Sequence, residues 1–265
     1  MNRLSREEVA RYGNDGYLIP SYRLPTAQLE RLRRTLDGLI RDNPGVRPEK
    51  LVSAHIEGDN GEGVRGSAEF LELARDPAIV DMVEALIGPD VILWGCQIFC
   101  KPGGDGLEVP WHQDGHYWPI RPLATCTAWV AIDDSRPENG CMRYVPGSHR
   151  HGHTFRHRAD TRPDLALDLV VENGEVDLDA ARDVELAAGQ LSLHDVYLVH
   201  GSNPNRSGKR RAGVAIRYMP ATSLFDRTLM QPGAQSGYQV DFSTRPLWLL
   251  RGEDRTGKND FSIGH

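Results

Sequence analysis

Apolar positions change their period partway along this chain. Up to about residue 88 they recur at helical spacing, and beyond it they gather into short β-type runs. Ser5 with Glu8 reads as a capping box that opens a short helix. Pro25-Thr26 opens a longer one, with Leu29, Leu32, Leu36 and Ile40 at helical spacing, and it stops before Pro44-Gly45. Residues 67–88 read as two helical pieces broken near Asp76-Pro77. Val91 to Lys101, Thr125 to Ile132, Met142 to Val145, Gln190 to Leu193 and Ala212 to Tyr218 are then short strands separated by Gly, Pro and Asn. Helices followed by many short strands predict a mainly β protein with flanking helices, built as an antiparallel jelly-roll.

The same pattern predicts one domain over residues 1–265: a helical flank to about 88, a jelly-roll core over about 89–220 and an extension after about 220. There is no internal repeat and no linker. The polar, charged segment from Arg150 to Asp183 reads as a long insert or lid beside a site. The Arg/Gly/Asp-rich stretch after Leu250 is expected to be mobile.

Composition narrows the function classes. A chain of 265 residues is ordinary for a single β domain with helical additions, and long enough to bury a sizeable core. A net charge of −6 gives no reason to expect nucleic acid or an anionic membrane surface. No apolar run approaches a membrane span, and Met1-Asn-Arg-Leu-Ser-Arg lacks a hydrophobic signal region, so a cytoplasmic location is expected. Cys96, Cys100, Cys126 and Cys141 form no zinc or redox pattern and read as reduced thiols.

The chemistry concentrates in two segments. In Pro110-Trp-His-Gln-Asp-Gly-His116, His112 and Asp114 lie two residues apart, and on a strand such residues point to one face. Two histidines and one carboxylate on one face of a non-haem Fe(II) make an oxygenase site, so the question is where a second histidine lies. The run Ser192 to Ser202 offers two, His194 and His200, and periodicity does not separate them. After it comes a polar turn, Asn203 to Gly208, and then Arg210 and Arg211 at the head of a strand. A hairpin of this kind would place His200 and one arginine on neighbouring strands facing one cavity. Adjacent strand residues face opposite ways, so only one arginine can point inward. An arginine fork suits a carboxylate anchor, which suggests an iron enzyme with a dicarboxylate cosubstrate.

With Ala128-Trp-Val-Ala-Ile132, Glu138-Asn-Gly-Cys-Met142 and Val145-Pro-Gly-Ser-His149 added in order, the chain resembles the phytanoyl-CoA dioxygenase family. The resemblance runs from Asn14-Asp-Gly-Tyr-Leu18 to Tyr218 and is weak between Arg150 and Glu185. It implies a double-stranded β-helix fold, cupin-like, and an Fe(II)- and 2-oxoglutarate-dependent dioxygenase that hydroxylates an unactivated C–H bond with O2. It implies His112, Asp114 and His200 as metal ligands and Arg211 as the 2-oxoglutarate anchor, leaving His194 as a buried supporting histidine and Arg210 pointing outward. It further implies Ser202, Gln97 and Trp129 at the cosubstrate, and His116, Tyr117 and Trp118 at the substrate mouth. Asp114 speaks against halogenation, because related halogenases carry a small residue there.

The substrate is left open between an acyl-CoA and a secondary metabolite or amino acid. Arg121, Arg143, Arg150 and Arg156 are candidates for a basic CoA surface. His149, His151, His153 and His157 read as a solvated loop, since carboxylate and thiolate partners at ligand spacing are missing. His55-x-Glu57 in a Gly-rich loop is not taken as a metal site. A cupin-like metal isomerase or hydrolase without 2-oxoglutarate is the main rival reading, and a non-catalytic binding protein the other. The oligomeric state is not written in these patterns.

Overall fold

The computed structural model describes residues 4–59, 63–116, 118–228 and 243–263. Helix α1 (Arg6–Asp15) begins at the Ser5–Glu8 capping box. It ends at Gly16, whose φ of 81° is the left-handed cap that turns the chain directly into strand β1 (Tyr17–Leu18). Helix α2 (Thr26–Asp42) buries Leu29, Leu32, Leu36 and Leu39, while Ile40 packs at the edge of the same cluster. The break at Asp76-Pro77 has a clear cause. The Asp76 side chain accepts from Ala78 N, and Pro77 stands in the first turn, where its missing N–H costs nothing. Helices α3 (Ala68–Ala74) and α4 (Pro77–Ile87) lie on either side of it.

Beside three small two-stranded pairings, the other strands of the two main sheets are β2 (Leu51–Val52), β3 (Val91–Lys101), β4 (Val109–His112), β5 (Cys126–Ala131), β6 (Met142–Tyr144), β7 (Arg182–Val184), β8 (Leu191–Asp195), β9 (His200–Ser202), β10 (Arg211–Pro220) and β11 (Trp248–Arg251). They form two antiparallel sheets. The larger runs β1-β8-β5-β10-β3-β11 with β2 also on β3, and the smaller runs β7-β6-β9-β4. This is the expected jelly-roll, mainly β with a helical layer.

Strand alternation decides what each face of the large sheet does. Cys96, Ile98 and Cys100 of β3, Ala128 and Val130 of β5, Leu191 and Leu193 of β8, and Val214 and Ile216 of β10 pack on the helical leucines as the main core. The opposite face turns Trp129, Ala131 and Ala215 toward Met142 and Tyr144 of the small sheet. The helices therefore close one side and leave the polar side chains of the inner face in the space between the sheets.

One expectation changes. The segment after Leu250 is tied down: Arg251 pairs with Asp81 and Glu84 of α4, Arg255 pairs with Asp90, and β11 joins β3. Its arginines meet carboxylates far away in sequence, which composition does not reveal. The polar stretch 150–183 carries a small hairpin, His157–Ala159 with Leu169–Val171. Phe155, Val171 and Ala181 pack there against Val145 and Val199. Those apolar residues are too scattered to show a period. All four cysteines are buried and reduced. No helix among the described residues is long and apolar enough to cross a membrane.

Candidate metal centre and its anion pocket

Strand β4 ends at His112, and the chain then enters a tight helical turn at Asp114–His116. The pairing of His112 and Asp114 is therefore not strand alternation. The intervening Gln113 is fully buried, and its side chain bonds Phe155 N, His153 O and Tyr197 O. Gly115 N bonds Val196 O. These ties bend the backbone and swing the Asp114 carboxylate back beside the imidazole of His112.

His200 opens β9, in register with His112 on β4. Its arginine partner lies elsewhere than expected: β10 belongs to the large sheet, so His200 and Arg211 face each other across the barrel rather than along one hairpin. One ligand atom from each of His112, Asp114 and His200 lies within 4.8 Å of the others, and all three residues are buried. His112 Nε2 is 3.7 Å from Asp114 Oδ1, and His200 Nε2 is 4.0 Å from Asp114 Oδ2.

The donor set fits a metal. His112 Nδ1 bonds Pro110 O at 2.8 Å, and His200 Nδ1 bonds Leu198 O at 2.9 Å. With each Nδ1–H donating to a carbonyl, both Nε2 atoms carry lone pairs toward the carboxylate. Burial, with His112 opposite, lowers the His200 pKa well below its usual value, so the ring is neutral. Burial would raise the Asp114 pKa, but its imidazole neighbours, His112 and His194 first, together with Arg217 hold it well below the carboxylate range. Three acceptors brought together repel unless a cation sits among them, and two imidazoles with one carboxylate suit a divalent iron.

His194 stands just behind. It lies on β8 of the large sheet, with Nε2 3.5 Å from Asp114 Oδ2 and Nδ1 3.0 Å from Tyr144 OH, which also meets Ser192 Oγ at 2.9 Å. This buried chain braces the carboxylate, a role for Tyr144 and Ser192 that nothing in their local sequence announces.

Arg211 heads β10 and is 1% exposed, whereas Arg210 turns outward to Asp133 and Asp37. The Arg211 guanidinium donates twice to Gly140 O, at 2.8 and 3.1 Å, and reaches Ser202 Oγ at 3.4 Å. Its Cζ lies 5.3 Å from the centre of the Trp129 ring. Gly213 makes room for that indole, since a Cβ there would overlap it. Burial lowers Arg211 to about 10. Lys101, paired in register with Arg211, is fully buried and donates to Ser202 O and Asn203 O. Burial and the neighbouring Arg211 charge hold the Lys101 pKa well below its usual value, and Lys101 was readable as the third inward position after Gln97 and Phe99 on β3.

The substrate candidates scatter more. His116 is half-buried and stacks on His157 at 4.4 Å. His157 Nε2 accepts from Gln113 N, so it leaves the solvated loop expected for it, and His149 bonds Gly13 O. Trp118 is buried edge-on to Trp94, with ring centres 4.6 Å apart. Tyr117 lies outside the described residues. Gln97 Oε1 accepts from Arg217 Nη2 at 3.1 Å, at the opposite end of β10 from Arg211.

Comparison with known proteins gives the family. The family model for phytanoyl-CoA dioxygenase (PhyH) matches residues 12–213. The chain is 27% identical over 236 residues to an L-proline trans-4-hydroxylase of Streptomyces griseoviridis, covering 80% of this chain and 85% of that protein. The apo structure of the non-heme monooxygenase ThoJ superposes with a TM-score of 0.70 at 27% identity, over 93% of this chain and 84% of that one. The structure of CytC3 with Fe(II) and alpha-ketoglutarate has a TM-score of 0.64 at 25% identity, over 97% and 92%.

Proposed function

The chain belongs to the phytanoyl-CoA dioxygenase family, and on that premise we propose that His112, Asp114 and His200 hold its iron while Arg211 anchors its cosubstrate. The protein is an Fe(II)- and 2-oxoglutarate-dependent dioxygenase acting on a small molecule. When bound, iron and 2-oxoglutarate supply the oxidising chemistry: O2 is consumed, one oxygen atom enters a substrate C–H bond, and succinate and CO2 leave.

The chain's own residues provide position and dryness. The carbonyls of Pro110 and Leu198 fix the two imidazoles, and the Tyr144–His194 chain fixes the carboxylate. Arg211 and Ser202, with Lys101 beside them, form a pocket whose guanidinium fork matches a carboxylate. Gln97 and Trp129 line the inner face of the large sheet, with Trp129 against Arg211 and Gln97 toward the substrate end. The observation that carries this reading is the pairing of a buried metal-ligand cluster with a buried arginine on the facing sheet. A cupin-like isomerase or hydrolase would have no use for the second half of that pairing.

A CoA thioester is not favoured. Arg143 pairs with Asp183, Arg156 pairs with Glu172 and Glu175, and Arg121 and Arg150 donate to backbone carbonyls. A phosphate-rich ligand would have to break those contacts. The relative that hydroxylates L-proline points to a smaller substrate.

The test is anaerobic. Adding Fe(II) and then 2-oxoglutarate to metal-free protein gives a visible iron-to-keto-acid absorption band, and Arg211→Ala abolishes it at the same cosubstrate concentration. Iron binding without any band in the wild type would bring the isomerase or hydrolase reading forward.

A further inference from the structure

Strand β4 ends on His112 and leads straight into Asp114, and it is an edge strand: the small sheet runs β7-β6-β9-β4 and stops there among the described strands. One side of an edge strand has no sheet neighbour, so its geometry depends on what covers it. The cover here is the polar stretch 150–183. At the start of β4, Glu108 N donates to Asp164 O at 3.1 Å, and Ala166 N donates to Glu108 O at 2.8 Å. Leu107 and Val109 pack on Ala166 at the same place. Just past the other end of β4, Gln113 bonds His153, Phe155 and His157. The ligand-bearing strand is thus gripped at both ends by one segment.

His157 makes the tie nearest the ligands. Gln113 N donates to His157 Nε2 at 3.3 Å, through the peptide that joins Gln113 to His112. A backbone N–H can only donate, so Nε2 is the bare nitrogen and Nδ1 carries the proton, which it gives to Phe155 O at 2.9 Å. His112 and His200 are fixed in the same way, each Nδ1 meeting the carbonyl two residues before it. In those two rings Nε2 faces the carboxylate. In His157 it holds the backbone that carries the carboxylate. The His157 ring also stacks on His116, with centres 4.4 Å apart, so it touches the chain on both sides of Asp114.

The base of this support is apolar. Phe155, whose N–H donates to Gln113 Oε1 at 2.6 Å, packs with Val145, Val171 and Val199. Val199 directly precedes His200. One cluster therefore underlies both ligand segments, and the polar bonds that rise from it end on the Asp114 turn. A segment serving only to cover apolar surface would not need those bonds.

Resting on the proposed assignment of His112, Asp114 and His200 as iron ligands, we infer that His157 is a positioning residue of the metal centre, holding the Asp114 turn from the 150–183 stretch. Iron affinity and the order of residues 153–171 are then coupled. By linkage the coupling is reciprocal: what the ordered segment adds to iron binding, iron returns to the order of the segment.

The experiment titrates metal-free protein anaerobically with Fe(II) against a competing chelator. Hydrogen exchange of peptides covering 153–171 is followed with and without Fe(II). Wild type binds one iron per chain and Asp114→Ala none; failure there sinks the ligand assignment itself, separately from this inference. In the wild type, Fe(II) slows exchange across 153–171. His157→Phe keeps a ring against His116 and loses both hydrogen bonds. It weakens Fe(II) about tenfold, the lower end of what losing a group that orients a ligand costs, and reduces the protection that Fe(II) confers. His157→Gln places an amide oxygen near the position of Nε2 and recovers part of the affinity. Arg158→Ala, exposed and on the opposite face of its strand, changes neither measurement. If His157→Phe does not fold, the wild-type exchange and His157→Gln decide. The inference is overturned if His157→Phe binds Fe(II) as tightly as wild type whatever its melting temperature, if Gln is as damaging as Phe, or if Fe(II) leaves the exchange of 153–171 unchanged.

Discussion

His112 and His200 stand opposite each other on neighbouring strands, ring centres 4.2 Å apart, and each gives its Nδ1–H to the carbonyl two residues before it. The same local device is used twice, from segments far apart in sequence. It fixes both rings so that their Nε2 lone pairs meet at Asp114. The backbone, rather than the metal, pre-sets the geometry.

Asp114→Ala removes the one anionic ligand. Iron bound per chain, measured after dialysis against limiting Fe(II), falls to near zero, and substrate hydroxylation is lost. Wild-type turnover in this variant would break the assignment of the three ligands.

Arg211→Ala weakens 2-oxoglutarate by roughly 30-fold or more, since deleting one partner of a buried, hydrogen-bonded charge pair costs about 2–5 kcal/mol. Arg211→Lys is also impaired, because a point charge cannot bridge Gly140 O, Ser202 and a carboxylate at once. Titration of the absorption band gives both affinities. An unchanged value for either variant would remove Arg211 from the cosubstrate site.

Tyr144→Phe deletes the hydroxyl between Ser192 and His194. Metal affinity drops roughly tenfold, as for other groups that orient a ligand, with a stability loss of about 1–2 kcal/mol. Competitive metal titration and urea unfolding separate the two effects. Lost stability with unaltered affinity would reduce the chain to packing.

His55 makes stability depend on pH. Burial first, then Arg245 and Arg217, lowers its folded pKa to about 3, against about 6.5 when unfolded. The unfolded chain therefore binds the extra proton between these values. The contribution is fully present above pH 6.5 and fades as pH falls toward 3, by up to roughly 4–5 kcal/mol. His55→Phe has a shallower slope of unfolding free energy against pH across that window. Equal slopes for the two proteins would contradict this.

Much of the fold was legible because it is local. The Ser5–Glu8 box, the Asp76-Pro77 break and the leucines of α2 act within a few residues of themselves, and β3 runs from Val91 to Lys101 as its β-rich composition predicts. The proposed metal ligands were implied by the family resemblance, since periodicity alone left His194 and His200 both open. Strand alternation required that only one of Arg210 and Arg211 face inward, and the family resemblance implied Arg211.

What the sequence determined by itself, then, was the succession of helices and strands and the kinds of donor atom placed near their ends. Only the tertiary structure decided how those atoms meet. Asp114 reaches His112 because Gln113 is held by partners at 153, 155 and 197, not because of strand alternation. His194 supports Asp114 from the other sheet, and Arg217 meets Trp118 from a segment that shares no local pattern with it. Periodicity reports which face of its own element a side chain occupies. Which faces come together is set by how two sheets and a layer of helices bury their apolar sides, and that is a property of the whole packed chain.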